Sequence, residues 1–140
     1  MHVYIGGAYN GKRDYVKKWL AEQGQENVHW VEGNYLADSF IVDTEVIQTT
    51  VIAGVEKWLA ETDLSEQKAI DYVMNIVDTD RHIVFILTDI GRGIVPMDAG
   101  QRQLRDACGR LYQRLMAEAD EVTRIWYGLA KPLKKRGDYE

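Results

Sequence analysis

A lysine preceded by glycines at a fixed spacing is the part of this 140-residue sequence best equipped for chemistry. Gly6-Gly7-Ala8-Tyr9-Asn10-Gly11-Lys12-Arg13 follows the apolar run Val3-Tyr4-Ile5 and precedes a helix-like segment, Asp14 to Glu22. Glycine, four residues, then glycine and lysine, set between a strand and a helix, is the pattern of a phosphate-binding P-loop. Loop amides and the helix N-terminus offer donors and partial positive charge to an anion, and the lysine adds a full charge. One position departs from the pattern: Arg13 stands where a serine or threonine hydroxyl would hold Mg²⁺. Gly6, Gly7, Ala8, Tyr9, Asn10, Gly11, Lys12 and Arg13 are the expected nucleotide-binding residues, with Lys12 also a catalytic candidate. The alternative is a glycine-rich turn carrying a surface lysine.

Two further places offer groups to a bound phosphate. Asp43 closes the apolar run Phe40-Ile41-Val42. In a parallel sheet ligands lie beyond the carboxyl ends of the strands, so this carboxylate is a candidate partner for Mg²⁺, directly or through water. It could equally cap a following helix, and Glu45 is the reserve carboxylate. The loop Thr88-Asp89-Ile90-Gly91-Arg92-Gly93 follows the most strand-like run, Ile83 to Leu87. Asp89, Gly91, Arg92 and Gly93 form a candidate phosphate or substrate loop: glycines allow close backbone approach and Arg92 offers a bidentate contact. A solvated surface loop is the alternative.

Other chemistry is poorly supported. Three histidines and one cysteine provide no cluster at zinc-ligand spacing. His29, beside Trp30, is the histidine with a conceivable catalytic role, although a lone histidine is more often structural. Cys108 lies on an apolar helix stripe and suits a buried thiol. Arg102, Arg105, Arg110 and Arg114 suit a solvated face with Asp106 and Glu118 as partners. A net charge of −5 argues against an extended nucleic-acid surface. Neither a signal peptide nor a run long and apolar enough for a membrane span is expected, and a cytoplasmic location follows.

The elements that must position these groups alternate in type. His2–Ile5, Val28–Val31, Ser39–Val42, Ile83–Leu87 and Val122–Tyr127 have the apolar character of strands. Helical spacing is expected over Asp14–Glu22, over Thr44–Glu61 (Val46, Ile47, Val51, Val55, Trp58, Leu59), over Ser65–Val77 with Ser65 as cap, and over Ala99–Ala119 with the stripe Leu104, Cys108, Leu111, Leu115. The charged segment Lys131–Glu140 suits a frayed tail. Alternating strands and helices predict one α/β domain over 1–140 with a mostly parallel sheet and right-handed crossovers.

Three stretches closely resemble one family. They are Thr88-Asp89-Ile90-Gly91-Arg92-Gly93-Ile94-Val95-Pro96, then Arg105-Asp106-Ala107-Cys108-Gly109-Arg110-Leu111-Tyr112-Gln113-Arg114-Leu115, then Ala119-Asp120-Glu121-Val122. The family is the bifunctional adenosylcobinamide kinase / adenosylcobinamide-phosphate guanylyltransferase of cobalamin biosynthesis, and Gly6-Gly7-Ala8 with Gly11-Lys12 looks like its P-loop. The resemblance implies a RecA-type P-loop NTPase fold, a three-layer sandwich, assembled as a trimer. It also implies GTP or ATP with Mg²⁺ as cofactors, adenosylcobinamide or its phosphate as substrate, and transfer of GMP through a histidine. Arg13 stands in place of the family's P-loop serine, Asp89 in place of a loop glutamate, and Tyr112 in place of an asparagine. Gln23 to Val28 contains no histidine where the family's guanylyl acceptor lies, and His29 matches a later histidine-tryptophan pair. Two readings follow: a family enzyme, a nucleotide-binding kinase with guanylyltransferase activity by a route other than the family's histidine, or a relative that binds nucleotide or corrinoid without turnover.

Overall fold

A computed structural model of the chain describes residues 1–7, 11–24, 27–33, 49–78, 82–89 and 98–135. Within them, β1 (His2–Gly6), α1 (Lys12–Glu22), β2 (Val28–Glu32), β3 (Thr49–Ala53), α2 (Val55–Glu61), α3 (Glu66–Val77), β4 (His82–Thr88), α4 (Ala99–Glu118), β5 (Glu121–Trp126) and β6 (Leu129–Lys134) follow in order. The strands make one six-stranded sheet, β2-β3-β4-β1-β5-β6. All pairings are parallel except the last, between β5 and β6. This is the mostly parallel α/β sheet that strand–helix alternation predicts.

Both faces of the sheet are covered, so its inner strands are apolar at every position rather than at alternate ones. Val3, Ile52, Phe85, Leu87 and Val122 point to a core shared with α2, α3 and α4. Tyr4, Val51, Val84, Ile86 and Ile125 point to the opposite face, where Val16 and Leu20 of α1 close over them. Helix boundaries follow from local chemistry. Ser65 caps α3 by accepting from the Lys68 amide, as expected. At α4, Asp98 accepts from the Gln101 amide at 2.7 Å while the Gln101 side chain accepts from the Asp98 amide. That reciprocal pair satisfies two otherwise orphaned donors.

Two expectations need correction. The helix foreseen over Thr44–Glu61 is a strand, β3, over Thr49–Ala53, and only Val55–Glu61 is helical. Thr49-Thr50-Val51-Ile52 are all β-branched and all buried, which suits a central strand covered on both faces. Gly54, at φ 79°, then separates strand from helix. The tail foreseen over Lys131–Glu140 begins instead inside β6, whose Val122–Lys134 and Thr123–Pro132 pairings complete a hairpin. Tyr127 and Gly128 both have positive φ, the signature of a two-residue type I′ turn. Lys134 donates to the carbonyls of Met116 and Ala117 at 2.9 Å, tying β6 to the end of α4. Ser39–Val42, Asp43 and Glu45 lie outside the described residues.

Arg110 pairs with Glu66 of α3 rather than with Asp106 or Glu118, while Arg105 does contact Asp106 at 3.3 Å. No helix among the described residues is long and apolar enough to cross a membrane.

Close packing sets opposite expectations for two glycines. A methyl group at Gly33 would overlap the Gly54 carbonyl, whereas at Gly109, exposed within α4, it meets nothing. Gly33→Ala should lose about 1–3 kcal/mol by overpacking. Gly109→Ala should gain about 0.5–1 kcal/mol from the lower backbone entropy of its unfolded chain. Urea unfolding of both variants checks the two signs.

His2 supplies a pH-dependent element. Its ring stacks on Tyr4 at 4.0 Å and Nε2 lies 2.8 Å from the Thr123 hydroxyl. Burial holds its pKa below the ordinary value, and outweighs the nearby Glu121 carboxylate, which pulls the other way. A histidine depressed in the folded state leaves stability intact above about pH 6.5. Stability then falls as pH drops below that value, because the unfolded chain takes the proton first. His2→Gln should lose less stability than the unmodified protein between pH 7.5 and 5.5, measured as the shift in urea midpoint.

Candidate functional site

The junction of β1 and α1 is where sequence and geometry converge. β1 is sandwiched between β4 and β5, so its carboxyl end is held firmly at one edge of the sheet. Gly6 ends the strand and its carbonyl accepts from the Asp89 amide at 2.9 Å. Gly11 caps α1 in the left-handed region, at φ 74°, and Lys12 begins the helix. Lys12 is only 8% exposed, which is exceptional for a lysine. Its ammonium reaches back to donate to the Gly7 carbonyl at 2.6 Å.

A cavity of about 520 Å³ opens beside this lysine. It is lined by Gly11, Lys12, Arg13 and Asp14 from α1, by Ala53, Gly54, Glu56 and Lys57 from the β3–α2 junction, and by Ile86 and Thr88 of β4. These are the carboxyl ends of adjacent parallel strands facing a helix N-terminus, the place where open α/β sheets take ligands. Lysine side chains meet the helix N-terminus there, and together they favour an anion.

The electrostatics are those of a buried cation with a carboxylate in the same cavity. Burial lowers the Lys12 pKa, the Glu56 carboxylate partly restores it, and Arg13 lowers it further. Arg13 itself is engaged elsewhere: its guanidinium makes a bidentate pair with Glu32, one arm at 2.8 Å. That link raises the Arg13 pKa and lowers that of Glu32 through the hydrogen bond.

Glu56 is the carboxylate the sequence reading missed. It follows Gly54 in the first turn of α2 and lines the cavity with Lys12. Its Oε2 is buried and makes no hydrogen bond among the described residues. Recognising Thr49–Ala53 as a strand would have brought Glu56 to the ligand edge by the same rule that was applied to Asp43. Behind the cavity, Tyr112 of α4 donates to the Thr88 carbonyl at 2.9 Å. Burial, then the charge of Glu56, raises its pKa. Cys108 is fully buried, and burial pushes its thiol up to about 12, so it is an inert core group as expected.

Of the other sequence candidates, Asp89 lies directly beyond β4, joined to Gly6. His29 lies on β2, in register with Thr50, and is not among the residues lining the cavity. Ala8, Tyr9, Asn10, Asp43, Gly91, Arg92 and Gly93 lie outside the described residues. Among the described residues no cluster of three or more metal-ligating side chains forms.

Comparison with known proteins adds three findings. In the solved structures, a protein of Pyrococcus horikoshii OT3 has a similar fold, with a TM-score of 0.52 and 10% identity, covering 99% of this chain and 87% of that one. At that identity the likeness concerns fold alone. A stretch of 52 residues is 40% identical to the bifunctional adenosylcobalamin biosynthesis protein CobU of Salmonella typhimurium, covering 37% of this chain and 29% of that protein. Residues 43–133, well over half the chain, match the family CobU, described as cobinamide kinase / cobinamide phosphate guanyltransferase. By that match the chain belongs to the CobU family.

Proposed function

We propose that this protein binds the phosphates of GTP or ATP at the β1–α1 junction and phosphorylates adenosylcobinamide in cobalamin biosynthesis or salvage. The observation that carries the nucleotide part is the burial of Lys12, its ammonium folded onto the loop carbonyl of Gly7 in a cavity at the strand ends. Taking an ammonium out of water is costly unless a counter-charge arrives, and a phosphate group provides one. The family match begins at residue 43, beyond the Gly6–Arg13 loop, so it supports the pathway role while the loop's role rests on its own geometry.

In this reading Lys12 draws charge from the phosphoryl group being transferred, and the amides at the start of α1 hold the neighbouring phosphate. The substrate hydroxyl forms the new bond to phosphorus as the bond to the departing nucleoside diphosphate breaks. Positioning and charge stabilisation supply the catalysis, without a protein nucleophile. The metal that accompanies such nucleotides neutralises phosphate charge when bound, and Glu56, which lines the cavity and has a buried oxygen without a hydrogen bond among the described residues, suits it chemically. Asp43 remains the carboxylate proposed from sequence. Asp89, Gly91, Arg92 and Gly93 are proposed to face the substrate, and a trimer is the proposed assembly.

A second reading has a specific observation in its favour. Arg13 occupies the position of the P-loop hydroxyl and is tied to Glu32, so it supplies no metal ligand. On that ground the protein would bind nucleotide, or corrinoid, without turnover. Phosphorylation of adenosylcobinamide by the purified protein, with ATP and GTP compared, separates the two: product formation supports the kinase, and nucleotide binding without product supports the binder.

Lys12→Ala should weaken nucleotide binding roughly tenfold to a hundredfold, the worth of one charge-assisted contact, in an equilibrium titration. Unchanged affinity would remove the loop from the site. Labelled GTP followed by denaturing electrophoresis should leave no covalent GMP on the protein, since Gln23 to Val28 carries no acceptor histidine.

A further inference from the structure

Resting on the nucleotide reading, we propose that Glu56 is the protein's metal-facing carboxylate, receiving the divalent cation that accompanies phosphates held by Lys12. Three observations converge on it. The end of β3 at the cavity is Ala53 followed by Gly54, so the strand itself presents no carboxylate there. Arg13, the residue after the P-loop lysine, has no oxygen to offer and spends its guanidinium on Glu32. Glu56 lines the same cavity as Lys12, and its Oε2 is buried without a hydrogen bond of ordinary geometry among the described residues: the Tyr112 hydroxyl is near enough to interact with Glu56 but donates to the Thr88 carbonyl.

A buried carboxylate oxygen left without a hydrogen bond is expensive, and Lys12, whose ammonium donates to Gly7, compensates it through charge alone. The cavity thus holds a separated cation and anion. An anionic phosphate answers the first and a hard divalent cation answers the second. Magnesium needs only one or two protein carboxylates beside phosphate oxygens and retained waters. A single glutamate opposite the P-loop lysine is therefore a sufficient protein contribution. The carboxylate has shifted three residues beyond the end of β3 and onto the first turn of α2, where it can substitute for the hydroxyl that the loop lacks. Tyr112 and Cys108 are both buried, and the charge of Glu56 is felt at both.

Binding of a fluorescent GTP analogue, titrated in Mg²⁺ and again in EDTA, tests the assignment without relying on turnover. The unmodified protein should bind roughly tenfold more tightly with Mg²⁺. Glu56→Gln should keep or improve the EDTA affinity, since one negative charge is removed near the phosphates, and should lose the Mg²⁺ enhancement. Glu56→Asp, which retains the charge on a shorter arm, should retain part of it and serves if the glutamine variant unfolds. Mn²⁺ in the nucleotide complex, followed by electron paramagnetic resonance, should change its spectrum between the unmodified protein and Glu56→Gln. An undiminished Mg²⁺ enhancement in Glu56→Gln, or its loss in Asp43→Asn alone, overturns the assignment. Absence of nucleotide binding in both conditions overturns the P-loop reading and the metal site with it, whereas binding that is lost in Lys12→Ala but indifferent to Mg²⁺ overturns only the metal site.

Discussion

An ammonium withdrawn from water at the end of a central strand is the constraint around which this structure is arranged. Lys12 could not be 8% exposed on an isolated helix. It is buried because β1, gripped by β4 on one side and β5 on the other, delivers the chain to the sheet edge. The turn to α1 then folds the side chain back across the strand ends. The helix in turn is held down by Val16 and Leu20 against Tyr4, Val84 and Ile86. Core packing thus sustains an electrostatic cost that local structure alone would not support.

The parts around that lysine divide the labour. Arg13 and Glu32 join the start of α1 to the end of β2 with a bidentate pair, on the exposed side, where it contributes more to geometry than to stability. Gly33 lets the ends of β2 and β3 approach more closely than a side chain at that position would allow. Arg13 therefore anchors the start of α1 to a neighbouring strand, while a carboxylate from another element lines the cavity.

Much of the architecture was legible because it depends on local pattern. The apolar run Ile83–Leu87 suits a strand covered on both faces, and it forms β4, the longest strand among the described residues. Ser65 announces α3, and the stripe Cys108, Leu111 and Leu115 announces the buried side of α4. Errors arose where one pattern served two structures. Val46, Ile47, Val51, Val55, Trp58 and Leu59 fit a helical period, yet the β-branched Thr49–Ile52 run belongs to a strand, and a buried run of this kind lacks the alternation that would have exposed it. Lys131–Glu140 looked like a charged tail, although its first residues belong to β6, because lysines and a proline suit an edge strand as well as they suit a loop.

By itself the sequence determined the P-loop spacing, its position between strand and helix, the family resemblance and the departure at Arg13, because each is a matter of residue type at fixed offsets. Tertiary structure alone decided which groups meet Lys12. Glu56 is 44 residues away in the chain, and its nearness depends on β3 and β4 lying beside β1 in the order of the sheet. Side-chain partners that distant are set by strand order and close backbone packing, and neither is encoded in any local spacing. The same holds for the link between Arg13 and Glu32, which turns a substituted loop residue into a brace between α1 and β2.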